Sequence, residues 1–113
     1  MDQVTVKIPR PMVKEGSAFT AVAYFRDRAT QAAEAPTTIH YRIDNLSTGT
    51  ALTALTSVAA AASANISVTA TDNAIQDDTN DYETLQLTVV ANSGLSTQVR
   101  ETAIWQVENI QRI

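Results

Sequence analysis

The sequence predicts an all-β protein, an antiparallel β-sandwich of about seven strands with Greek-key connections. Two observations carry this. Apolar side chains fall on every second residue in short runs, as in Val4, Val6, Ile8 and in Leu85, Leu87, Val89, Ala91. A period of two puts alternate side chains on opposite faces of a strand, so each run buries one face. Turn residues then separate the runs at intervals of roughly ten, the spacing of sandwich strands.

Taken in order, the first strand is Val4 to Ile8, ended by Pro9 and Pro11, which cannot donate to a central ladder. Val13 to Gly16 reads as a short edge segment and turn. Ala18 to Arg26 is the second strand, with Phe19, Ala21, Ala23 and Phe25 on one face and Thr20, Val22 and Tyr24 on the other. Asp27 to Pro36 is a polar connection, and Pro36 bars a helix from continuing. The third strand, Thr37 to Leu46, closes on Ser47-Thr48-Gly49, where glycine permits the positive φ of a tight turn.

A fourth strand is expected from Thr50 to about Leu55. Thr56 to Ala64 holds four consecutive alanines and has helical propensity, but a loop fits better in a run of strands. Asn65 to Thr71 is the fifth strand. Thr71 to Asp81 is a polar crossover loop with a helical turn expected around Asn73 to Asp77. Tyr82 to Ala91 is the sixth strand, Asn92-Ser93-Gly94 a hairpin turn, and Thr97 to Asn109 the seventh. With neither linker nor repeat, residues 1–113 are expected to form a single domain.

Tyr82 follows the polar loop at the mouth of a strand whose inward residues are expected to begin at Leu85. That position resembles the tyrosine corner of immunoglobulin-like domains, whose hydroxyl ties the crossover loop to the strand; the alternative is an ordinary, partly buried tyrosine. The corner makes the sandwich, in expectation, an immunoglobulin-like one.

Composition narrows the function. The chain has no cysteine, which excludes a disulfide framework and fits a reducing compartment. Its start lacks the basic-then-apolar pattern of a signal peptide, so export is not expected, and no stretch is long enough to span a bilayer. The sequons at Asn45 and Asn65 are then chance matches. A net charge of −4 argues against nucleic acid as the partner, because phosphate binding needs a basic face.

Groups able to do chemistry are sparse. His40 is the only histidine and alternates with Ile39 and Tyr41, so it points outward. No Gly-x-Ser-x-Gly elbow or phosphate loop occurs, and no enzyme activity or cofactor is expected. The acidic stretch Asp72, Asp77, Asp78, Asp81 and Glu83 is the one candidate site. Asp77-x-Thr79-x-Asp81 has the alternate oxygen spacing of a calcium loop, which makes Asp77, Asp78 and Asp81 the candidate ligands. Against this, Tyr82 and Thr88 stand where such a loop needs glycine and glutamate, and a solvated crossover loop is the plainer reading. Val22, Tyr24, Val90, Ile104 and Ile113 are apolar residues on faces that an isolated domain would leave wet, hence candidates for a partner interface.

Several stretches together resemble a group of small bacteriophage proteins of unassigned or virion-structural role. They are Val13-Lys14-Glu15-Gly16-Ser17-Ala18-Phe19-Thr20-Ala21, Tyr41-Arg42-Ile43-Asp44-Asn45-Leu46, Ala74-Ile75-Gln76, Leu85-Gln86-Leu87-Thr88-Val89 and Trp105-Gln106-Val107-Glu108-Asn109. The resemblance covers nearly the whole chain. It implies an immunoglobulin-like sandwich carried on the virion as a capsid cement or decoration protein, made in the host cytoplasm and bound to the major capsid protein. Self-association is a second association it leaves open. A tail, neck or baseplate component and a carbohydrate-binding adhesin module are the competing expectations. No binding motif accompanies the resemblance, so it assigns no site residue.

Overall fold

The computed structural model describes residues 1–111. They form eight strands: β1 (Gln3–Lys7), β2 (Met12–Lys14), β3 (Phe19–Arg26), β4 (Ile39–Asn45), β5 (Thr50–Val58), β6 (Ser63–Val68), β7 (Tyr82–Ala91) and β8 (Val99–Glu108). No helix occurs among the described residues. The strands make a three-stranded sheet in the order β1-β3-β6 and a five-stranded sheet in the order β2-β8-β7-β4-β5. The two inner faces share one hydrophobic core, so the all-β sandwich expected from the alternation is what the chain forms.

Pairing is antiparallel throughout both sheets except between β2 and β8, which run parallel. That exception corrects the expected strand number. The segment after Pro11 is a strand in its own right, with Met12 opposite Gln106 and Lys14 opposite Glu108. Pro9 and Pro11 end β1 in one sheet, and the chain resumes as β2 at the edge of the other.

The period-two pattern explains which residues are inside. Ala21, Ala23 and Phe25 of β3, Ile39 and Ile43 of β4, Ile66 and Val68 of β6, Leu85, Leu87 and Val89 of β7, and Trp105 and Val107 of β8 are buried. Small Ala21 and Ala23 on the middle strand of one sheet let the bulk of Trp105 and the β7 leucines fill the space between the layers at interior density. The ring of Phe19 meets Trp105 edge-to-face, centroids 5.2 Å apart and planes 84° apart, a favoured aromatic arrangement.

Other expectations need correction. The fourth strand runs on to Val58, and β6 begins at Ser63, so only a short alanine-rich bridge joins the edge of one sheet to the edge of the other. An isolated helix of that length is marginal in water. Strand pairing decides instead, with the Phe25 amide donating to the Ala62 carbonyl at 2.9 Å. The strand expected to reach Thr71 stops at Val68, and the link between β7 and β8 is a longer loop from Asn92 to Gln98. Asn92 takes φ 56° and Gly94 φ 80°, a conformation glycine and asparagine tolerate best.

Phe25 is fully buried at the centre of the core. Phe25→Ala is expected to lower the unfolding free energy by about 3–5 kcal/mol, measured by chemical denaturation, with the midpoint shifted and the slope unchanged.

Candidate functional site

The polar centre of the molecule lies at one end of the sandwich. There the inward side of three neighbouring strands stops being apolar. On β4 the inward series Ile39, Tyr41, Ile43 ends in Asn45; on β7 the series from Leu85 is preceded by Glu83; on β8 Trp105 and Val107 are followed by Asn109. Asn45, Glu83 and Asn109 are all buried, and so are Asp72 and Asn73 of the crossover loop between β6 and β7.

Glu83 organises this end. Its Oε1 accepts from the Asn45 side-chain amide at 3.0 Å and from the Gln76 backbone N–H at 2.6 Å. Its Oε2 accepts from the Asp77 backbone N–H at 2.9 Å and from the Asn80 side-chain amide at 3.0 Å. Every partner is a donor. Burial by itself pushes the carboxyl pKa up. The Gln76 amide, the Asn80 side chain, the Asp77 amide and the Asn45 side chain outweigh that and hold it below the usual carboxylate range. The group is therefore a buried carboxylate kept ionised by charge-assisted hydrogen bonds.

Around it the crossover loop and the β4–β5 turn are fastened by further bonds. Asn45 Oδ1 also accepts from the Ser47 and Thr48 amides, at 3.0 and 3.1 Å, fixing the β4–β5 turn. Thr69 and Asp72 form a reciprocal box: the Asp72 amide donates to Thr69 Oγ1 at 3.1 Å, and the Thr69 amide donates to Asp72 Oδ2 at 2.9 Å. This arrangement caps a single turn, whose Asn73 amide reaches the Thr69 carbonyl. The turn thus sits earlier than the expected Asn73 to Asp77. The Asp72 carboxylate also accepts the Thr53 hydroxyl of β5 at 2.8 Å.

Trp105 and Asn73 complete the fastening. The indole N–H donates to Asn73 Oδ1 at 2.8 Å, and the Asn73 side-chain NH₂ donates to the Ser17 carbonyl at 2.7 Å. Asn109 donates through its side chain to the Asp78 and Asn80 carbonyls and through its backbone to the Asp81 carbonyl.

Two expectations change here. Tyr82 is 45% exposed and points away from the core, so the tyrosine-corner reading of this position is overturned. The parity of β7 puts the next residue, Glu83, inward, and its carboxylate does what the tyrosine hydroxyl was expected to do. Asp77, Asp78 and Asp81 are not brought together: among the described residues no group of three or more His, Cys, Asp or Glu side chains could hold a metal ion. Asp77 instead accepts from the Thr79 amide at 3.0 Å and the Thr79 hydroxyl at 2.6 Å, so the alternate spacing serves a local turn.

The interface candidates separate. Val22 and Tyr24 are half-buried on the outer face of the three-stranded sheet, where Tyr24 lies between Thr5 and Ser63 and the Lys7 ammonium sits 5.5 Å from its ring centroid. Val90 is buried, which corrects its assignment as a free surface residue. It stands between His40 and Arg100 and is covered within this chain. Ile104 is 51% exposed on the outer face of the five-stranded sheet. Ile113 lies outside the described residues. His40 is half-buried on that same outer face, and its Nδ1 has no hydrogen-bond partner.

Sequence reasoning missed Met12. It is exposed and lies opposite Gln106, so the next outward position on β8 is Ile104. Beside it a crevice of about 500 Å³ opens where the chain switches sheets, bordered by Arg10, Met12, Lys14, Phe19 and Glu108. No known protein family, curated protein or solved structure matches the chain.

Glu83→Gln keeps the size of the side chain but turns an N–H₂ toward two donors. It is expected to cost about 2–4 kcal/mol of stability in denaturant titrations near neutral pH. The wild type follows the sign of its lowered pKa: the carboxylate's contribution is complete above the unfolded value near 4.5 and is lost as pH falls through the lower folded value. Trp105→Phe, which strands Asn73 Oδ1 and removes part of the ring, is expected to cost about 2–4 kcal/mol by the same measurement.

Proposed function

We propose that this chain is a non-enzymatic structural protein of a bacteriophage virion, an immunoglobulin-like capsid cement or decoration protein that binds the major capsid protein of the head shell. The observation that carries the reading is the pair of exposed apolar side chains, Ile104 and Met12, on adjacent strands of one outer sheet face. Around them stand the half-buried polar side chains of Thr84, Gln86 and Thr88 of β7. A face with an apolar centre and a polar surround suits docking on another protein.

The strand order supports the immunoglobulin-like part of the reading. The first two strands lie in different sheets, and the chain passes from the three-stranded sheet to the middle of the five-stranded one through the fastened loop. The mechanism follows from rigidity. Buried area added between neighbouring shell subunits raises the barrier to their separation, provided the clip does not deform under load. The hydrogen-bonded pole supplies that stiffness. Glu83 fits this role, since both its oxygens are filled by donors and neither is free to take a proton from a substrate.

The test is copy number and particle strength. Particles carrying the protein are expected to hold it in numbers comparable to the shell subunit and to rupture at a higher temperature than particles made without it. Ile104→Lys is expected to fold normally and fail to bind. Presence in only a few copies per particle would instead assign it to the tail, neck or baseplate. Absence from particles, with glycan binding lost in Tyr24→Ala, would assign it to a carbohydrate-binding adhesin.

A further inference from the structure

One flank of the sandwich differs in chemistry from the rest of the molecule. From Asn45 to Thr71 there is no Lys, Arg, Asp, Glu or His. That span contains β5 and β6, which are the outermost strands of the two sheets on one side. The opposite flank, built from β1 and β2 and the turns next to them, carries Asp2, Lys7, Arg10, Lys14 and Glu15. The uncharged flank is thus made of two open strand edges joined by alanines.

Open edges present a row of backbone N–H and C=O groups that can pair with another strand, and proteins usually block them with Lys, Pro or a bulge. β5 has a partial block. Its pairing with β4 is irregular between Ala51 and Thr56, and Asp72 is bonded to Thr53 in that same half. Beyond the irregularity, Thr56, Ser57 and Val58 pair in regular register with Tyr41, His40 and Ile39. This second half has neither a charge nor a proline. Leu55, at its start, is 52% exposed.

We propose that two copies of this chain associate through the Leu55–Val58 end of β5, adding their edges antiparallel about a two-fold axis. The occupant follows from charge. Each copy carries a net −4, so two copies repel overall, and the Leu55–Val58 end of β5 lets them meet along a segment that carries no charged side chain. Backbone pairing across a two-fold axis is self-complementary and needs no second kind of surface. Leu55 of each copy then covers apolar area that the monomer leaves wet. The inference rests on the strand edges and holds whether or not the protein belongs to a virion.

Sedimentation equilibrium over a dilution series tests it. The wild type is expected to show a dimer mass at the concentrated end, with hydrogen exchange at the 55–58 amides slowing as the dimer forms. Ser57→Lys and Leu55→Lys, both at exposed positions, are expected to give the monomer mass with unchanged circular dichroism and thermal midpoint. Thr5→Lys, on the opposite flank, is expected to remain dimeric. A monomer at every concentration would overturn the proposal. So would a dimer that survives Ser57→Lys, or one broken by Ile104→Lys in its place.

Discussion

The fold turns on a carboxylate with no access to water. Glu83 is fully buried, and an ionised group in such a place is strongly unfavourable unless it is well bonded. Its four donors come from β4 and from three positions of the crossover loop. The loop cannot shift without exposing an unpaired charge. This gives the end of the sandwich a single arrangement, where a loop of small polar residues would otherwise sample many. Removing one partner of such a group costs far more than the group adds in net stability, so the carboxylate acts chiefly as a lock on conformation.

The lock also joins the two layers. The crossover loop leaves β6 of one sheet and enters β7 of the other, where Glu83, Trp105 and Asn109 hold it, while Asn45 ties Glu83 back to β4. Trp105 belongs to both halves of the arrangement: its ring packs in the core against Phe19, and its N–H bonds Asn73 of the loop. Apolar burial and polar fastening therefore meet in one side chain. With that end fixed, the outside of the sheets and their edges remain as open surface. An outer face holding Ile104 and Met12 and an uncharged flank holding Leu55 are among the apolar surfaces left exposed.

Much of this was legible in the sequence. Alternation located six of the eight strands to within a few residues and placed Phe25, Leu85, Leu87 and Val107 inside. β2 was harder, since three residues cannot display a period; only the prolines before it signalled a change of sheet. The end of β5 was hidden because Thr, Ser and Ala have no clear face, and an edge strand needs none. At the pole, Tyr82 suggests a tyrosine corner because a tyrosine at a strand mouth has a known use. The better signal was parity: Asn45, Glu83 and Asn109 each stand two residues from a core residue on the same face, and three strands ending inward in polar groups imply a shared buried network. Val90 misled for the opposite reason, since alternation assigns a face but does not say whether the chain's own neighbours cover it.

Glu83 is ionised inside the protein because its donors hold it so. A carbon-detected NMR titration of the Glu83 carboxyl in the folded state tests this directly. The titration midpoint is expected below that of an ordinary glutamate, with the Gln76 and Asp77 amide resonances moving in step with it. A midpoint at or above the ordinary value, or loop amides indifferent to the carboxyl's protonation, would contradict it.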